Sequence, residues 1–302
     1  MKSLVDIKSP EYVLITAARN EEDYIDATIK SVLSQTILPK KWVIVSDGST
    51  DNTDKIIKEH LKHSNLIEFV RREPGDNKQF DIASKVFALN TGYECVKNHT
   101  YDYIGHLDAD VTMERDYYEN IINKFHENKL LGIAGGFIHE PVQGYFRCRP
   151  YNTSRSVAGA IQLFHRQCYE DIGGFIPLKM GGEDTYAEVV ARMKGWKLES
   201  FPEIVVHHHK IGNLTRGKIR ECFRKGMVAY SLGSHPLFEV MKSIRRIAEK
   251  PYLISIPIKM LGFLWPYFLK QNRLVSDEFI KYMRKEQLTQ LKNFISIKRS
   301  NK

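Results

Sequence analysis

The run Tyr103-Ile104-Gly105-His106-Leu107-Asp108-Ala109-Asp110 decides how the chain is read. It is apolar until two carboxylates, one residue apart, close it. An apolar run of this kind predicts a strand buried within a sheet. Asp108 and Asp110 then fall at the strand's carboxyl end, where open α/β sheets place their ligands. On an extended chain, residues i and i+2 point the same way. Two carboxylates can thus converge on one hard divalent cation and leave positions open for phosphate oxygens. An isolated Asp-x-Asp is usually a solvated turn, so the surrounding pattern has to carry the reading.

That pattern begins upstream. Residues 12–18 form a first buried run, followed by Arg19-Asn20-Glu21-Glu22-Asp23. Asn20 is expected to cap a helix whose first turn holds the three acids. Ile25, Ile29, Val32 and Leu33 continue at helical spacing. Residues 42–46 predict a second strand, ending at Asp47-Gly48-Ser49-Thr50-Asp51. Ile56, Ile57 and Leu61 mark the next helix, and residues 66–70 a third strand. Strand and helix in alternation imply parallel β-α-β units with right-handed crossovers. A polar loop is expected over 71–80 and a helix over 81–97.

Downstream, Tyr117, Ile121, Ile122 and Phe125 share a helical face. Residues 131–138 read as a strand in which Gly135-Gly136 marks a close backbone approach. A further strand is expected over 157–164. Gly181-Gly182-Glu183-Asp184 opens a helix, and residues 197–206 return as a strand ending in His207-His208-His209.

Composition sets the frame. The 302 residues suit one large domain or one domain with an appendage, and the formal net charge is +9. The four cysteines form no Cys-x-x-Cys pair, which speaks against a disulfide frame or a zinc site. The N-terminus lacks an apolar leader core, so a cytosolic location is expected. Between Lys210 and Lys250 there are ten Lys or Arg and three Glu. Such a block suits nucleic acid, an anionic membrane or phosphate ligands. The apolar stretch 252–269 that follows it favours the membrane.

The ordered set Leu14-Ile15-Thr16-Ala17-Ala18-Arg19-Asn20-Glu21, Val45-Ser46-Asp47-Gly48-Ser49-Thr50-Asp51, Leu107-Asp108-Ala109-Asp110 and Gly182-Glu183-Asp184 resembles family 2 glycosyltransferases. The resemblance covers roughly residues 11 to 235. It implies a GT-A fold: a mixed, mainly parallel sheet flanked by helices, over residues 1–235. Residues 236–302 are then a basic and apolar helical appendage. It also implies inverting transfer from a nucleotide-diphosphate sugar, by default a UDP-sugar, to a saccharide or lipid-linked acceptor in glycan assembly.

By that resemblance Ala17, Arg19 and Glu21 lie at the nucleotide and Asp47 meets the base. Asp108 and Ala109 lie near the ribose, and Asp110 is the main ligand of Mg²⁺ or Mn²⁺, with Asp108 beside it. A histidine after the late strand completes the metal site. His207, His208 and His209 all compete for that place, and His208 is preferred. Asp184 is the implied general base, supported by Glu183. A carboxylate suits taking the acceptor hydroxyl proton, although an acid pair opening a helix is also stabilised by the macrodipole. Lys78 and Lys85 are candidate phosphate contacts, read more simply as solvated lysines.

The rivals are a nucleotidyltransferase using the same acid pair and a polyanion-binding module built on residues 210–250. The first calls for a glycine-rich basic loop that residues 17–23 do not supply. No nucleic-acid partner is expected. For the tail, Lys259, Pro257 and Pro266 interrupt a straight span. An interfacial or re-entrant segment on the cytosolic face is expected, and packing against the catalytic domain or a dimer partner is the alternative.

Overall fold

The computed structural model describes residues 10–73, 83–150, 152–210, 217–245 and 254–300. The chain divides into two packing units, residues 1–177 with 194–211, and residues 178–193 with 212–302. The units interleave in sequence, which a single cut at 235 does not reproduce.

The first unit carries, in chain order, β1 (Tyr12–Ala18), α1 (Ile25–Leu33), β2 (Lys41–Asp47), α2 (Thr53–Leu61), β3 (Ile67–Arg72), α3 (Ser84–Val96), β4 (Tyr103–Leu107), β5 (Val111–Met113), α4 (Tyr117–Glu127), β6 (Leu131–Val142), β7 (Tyr145–Cys148), β8 (Ile161–His165), α5 (Arg166–Ile172) and β9 (Lys197–His208). The nine strands form one sheet in the order β3-β2-β1-β4-β8-β6-β9-β5, with β7 added to β6. From β3 to β4 every pairing is parallel. Strand β8 runs antiparallel to β4 and to β6, while β9 runs parallel to β6 and β5 antiparallel to β9.

The parallel half explains the near-continuous apolar runs. Val13, Leu14 and Ile15 of β1 and Trp42, Val43 and Ile44 of β2 are all fully buried, as strands covered on both faces must be. Gly136 permits the close approach expected of it. A Cβ there would sit 2.2 Å from the Ile204 carbonyl oxygen, where the β6–β9 register shifts.

Three local expectations are corrected. Asn20 does not cap α1. It adopts the left-handed conformation (φ 55°), and its Oδ1 accepts from the Thr50 backbone N–H at 2.8 Å. Asn tolerates that conformation and bonds locally, so the acids at 21–23 form a turn and α1 starts at Ile25. The strand expected over 157–164 begins at Ile161. Arg71 and Arg72 extend β3 instead of opening the polar loop; residues 74–82, including Lys78, lie outside the described residues.

The second unit carries α6 (Glu183–Met193), α7 (Gly217–Ser231), α8 (Pro236–Arg245), α9 (Ser255–Phe268) and α10 (Asp277–Ser300). Helix α9 crosses α7 at backbone contact. A Cβ on Gly226 would lie 2.1 Å from the Lys259 carbonyl oxygen, and one on Gly262 2.0 Å from that of Phe223. The lone charge of α9 is answered inside the unit: Lys259 Nζ lies 2.7 Å from Oε2 of buried Glu239 on α8. Phe279, Ile280 and Met283 bury one face of α10, and Tyr186 of α6 stacks on Phe279. Among the described residues, no helix is long and apolar enough to cross a membrane.

Candidate active site

Three strand ends build one pocket. Parallel β1, β2 and β4 end side by side, and residues at and just beyond their ends line it: Ala17 and Ala18 closing β1 with Arg19 and Glu21 after it, Asp47 closing β2, and Asp108, Ala109 and Asp110 after β4. The first two residues of the α3 region, Ser84 and Lys85, complete the wall. This is the carboxyl edge of the parallel half, where backbone ends and helix starts leave room for ligands.

The loops are tied to one another before any ligand is considered. Glu21 N–H donates to Thr53 Oγ1 at 2.8 Å and Asn20 N–H to Ser49 Oγ at 3.2 Å, joining the β1 and β2 loops. Thr28 Oγ1 donates to the Ala109 carbonyl at 2.9 Å, and Asp108 N–H to that of Ala160 at 2.9 Å. The chain between Asp108 and Asp110 is therefore held from both sides.

Four acidic side chains each meet a basic group. Arg72 and Ser84 both bond Asp47, which is nearly buried. Lys85 Nζ lies 2.5 Å from Asp108 Oδ1. Lys210 Nζ lies 2.6 Å from Glu21 Oε1. His208 Nε2 lies 3.4 Å from Asp110 Oδ2. Burial raises the Asp110 carboxyl above its ordinary range, with His208 pulling the other way. Burial likewise raises Glu21, opposed by Lys210.

Pairing of β5 with β9 separates the three histidines. His208 lies opposite Val111 and His207 opposite Thr112. Alternation then sends His208 to one face and His207 and His209 to the other. His207 stacks under Phe146 at 4.3 Å, and the His209 ring bonds Thr112 Oγ1 at 2.8 Å. Burial lowers the pKa of both. His208 instead brings a ring nitrogen to Asp108 and Asp110, with one ligand atom from each within 4.8 Å of the others.

This donor set fits a divalent cation. Two carboxylates and an imidazole suit Mg²⁺ or Mn²⁺. Glu21 Oε2, on the pocket wall, is a buried polar atom without a hydrogen-bond partner among the described residues, an arrangement expected where a ligand completes the site. Asp108, Asp110 and His208 would hold the ion. Such an ion would supply Lewis-acid stabilisation of negative charge on phosphate oxygens. The loop after β1 and Asp47 wall the pocket, and Lys85 brings a positive charge to Asp108.

Glu183 and Asp184 open α6 in the second unit, where Asp184 Oδ1 accepts from the Thr185 N–H at 2.6 Å. Sequence reasoning missed Ser84, Arg72 and Lys210 and undervalued Lys85. Arg72 meets Asp47 through the β2–β3 register, which the sequence does not display.

The mixed, mainly parallel sheet with its flanking helices is an architecture of the GT-A type. The sequence profile of glycosyl transferase family 2 matches residues 13–175, and the chain belongs to that family. Poly-beta-1,6-N-acetyl-D-glucosamine synthase of Staphylococcus aureus is 25% identical over 281 residues, covering 84% of this chain and 62% of its own. The Staphylococcus epidermidis synthase of the same name is 30% identical over 205 residues, 62% of this chain and 45% of its own. The chain thus spans less than two thirds of these relatives. Among solved structures, the mannosyltransferase PcManGT from Pyrobaculum calidifontis, in complex with GDP-Man and Mn²⁺, superposes with a TM-score of 0.56 at 20% identity, covering 93% of this chain and 74% of its own. S. aureus TarS 1-349 with UDP-GlcNAc gives 0.52 at 15% identity, covering 72% and 65%. At these identities the two structures speak for the fold alone.

Proposed function

We propose that the protein transfers a sugar, with inversion, from a nucleotide-diphosphate sugar to a saccharide or lipid-linked acceptor in polysaccharide assembly. The observation that carries this is the Asp108–Asp110–His208 cluster, whose two carboxylates line the same pocket as Ala17, Arg19, Glu21 and Asp47. A diphosphate on a divalent cation would have its nucleoside directed along that wall. Asp47 accepts an N–H from the base edge, and Lys85 answers the phosphate charge. Asp184, with Glu183, takes the proton of the acceptor hydroxyl as its oxygen attacks the anomeric carbon.

The donor is a UDP-sugar by analogy with the family, and the cation is Mg²⁺ or Mn²⁺. The synthases support a saccharide polymer as product, and family membership favours glycosyl over nucleotidyl transfer. The enzyme works at the cytosolic face of the membrane, as the basic block and apolar tail suggest. A donor screen tests the reading. The chain is incubated with a panel of nucleotide sugars and Mn²⁺, and released nucleoside diphosphate is measured. Release from one donor class that chelation abolishes is expected; no release from any donor, with or without saccharide acceptors, contradicts it.

A further inference from the structure

Helix α9 has two faces of different fate. Gly262, Phe263 and Pro266 are buried, and the Gly226–Gly262 crossing locks that side to α7. The opposite side follows the spacing i, i+4, i+7, i+8, i+11: Pro257, Leu261, Leu264, Trp265 and Phe268, all exposed. Four of these are large apolar side chains, exposed by 51, 43, 44 and 76% for Leu261, Leu264, Trp265 and Phe268. Scattered single apolar residues at a surface need no explanation, but a continuous stripe does. Leu269 and Leu274 extend it past the helix end.

We infer that this stripe is a membrane-docking face, and that α9 lies in the plane of an anionic bilayer surface. The inference deepens the membrane part of the proposed function and rests on it. A helix of 14 residues is about 21 Å long at 1.5 Å per residue, short of a hydrocarbon core of about 30 Å. Lying flat, it buries the stripe in the headgroup–acyl boundary. Trp265 lies in the stripe and Tyr267 stands exposed beside it, ring types that suit the boundary.

Charge chooses the occupant. Lys259 and Glu239 satisfy each other inside the unit, which leaves the stripe uncharged. Flanking it in sequence, Lys242, Arg245, Lys270 and Arg273 are basic among the described residues. A second copy docking through the same patch would form a two-fold contact that sets this basic rim against itself. An anionic lipid surface complements it, and apolar insertion with basic attraction gives the two weak anchors that hold where one does not.

The test uses the full chain and sedimentation with two vesicle types, phosphatidylcholine alone and equal parts phosphatidylcholine and phosphatidylglycerol. Wild type sediments with the anionic vesicles, less at raised salt, and poorly with the neutral ones. The double variant Leu264→Gln/Phe268→Gln adds no charge and alters only exposed positions. It lowers anionic-vesicle partitioning about tenfold or more, while circular dichroism and vesicle-free donor turnover stay unchanged. A wild type that ignores anionic vesicles overturns the inference, as does a double variant that binds like wild type. So does light scattering that shows a wild-type dimer split by the variant, since a second copy then covers the stripe. Vesicle binding without any donor turnover would instead remove the transferase reading and leave the docking face standing.

Discussion

Lys85 Nζ stands 2.5 Å from Asp108 Oδ1, so one carboxylate of the candidate metal cluster already holds a cation from its own chain. An ammonium and a divalent ion at adjacent positions repel each other. A diphosphate offers the ammonium a new partner, so metal and donor should bind with positive coupling, each strengthening the other. Lys85→Met should tighten Mn²⁺ binding to the nucleotide-free protein by about tenfold, worth ~1.4 kcal/mol, and weaken nucleoside-diphosphate binding. Titration calorimetry with Mn²⁺ alone and with Mn²⁺ plus nucleotide reads both. An unchanged Mn²⁺ affinity would show that the pair does not compete with the ion.

Asp184 sits at the start of α6 and holds the Thr185 N–H. Asparagine keeps an acceptor oxygen for that bond but cannot take a proton. Asp184→Asn should therefore lower turnover by roughly two to four orders of magnitude and leave donor affinity and stability near wild type. Should the variant lose nucleotide binding at unchanged turnover, Asp184 is no base.

How much of this was legible in sequence depends on what each feature needs. Strands β1, β2 and β4 announce themselves because burial on both faces demands unbroken apolar runs, and each ends in a polar cluster. The three acids after β1 pointed to a helix start because charge pattern alone cannot show that Asn20 turns left-handed to meet Thr50. Among His207, His208 and His209 the sequence offers no discrimination. The face of each is set by the β5–β9 register, a pairing between segments far apart in the chain. Ser84 and Lys210 carry no local signal either, since their partners Asp47 and Glu21 are brought to them by the fold.

In the second unit, Glu239 is the buried partner of Lys259. Burial acts to raise its carboxyl, but Lys242 and Lys259 beside it prevail, and it titrates below its ordinary range. A lowered carboxylate pKa means the unfolded chain takes up the proton first as pH falls. The pair's contribution is thus present above the unfolded carboxylate pKa and lost as pH drops through the folded one. Glu239→Gln removes the charge and leaves Lys259 without its ion-pair partner. It should cost about 3 kcal/mol or more at neutral pH, where breaking a buried pair is expensive. The gap to wild type should narrow in acid. Urea melts at neutral and acidic pH decide it: a gap that stays constant or widens in acid would mean the pair contributes nothing.

The most direct measurement of the central claim is the rate of nucleoside-diphosphate release by wild type and Asp110→Asn, each with Mn²⁺ and after stripping with EDTA. Asp110 supplies one of three ligand atoms in the cluster, and a neutral amide binds a hard cation poorly. The account predicts that stripped wild type is nearly inactive and recovers on adding Mn²⁺, while folded Asp110→Asn is nearly inactive under both conditions. Near wild-type release by the stripped enzyme, or by Asp110→Asn, would contradict it.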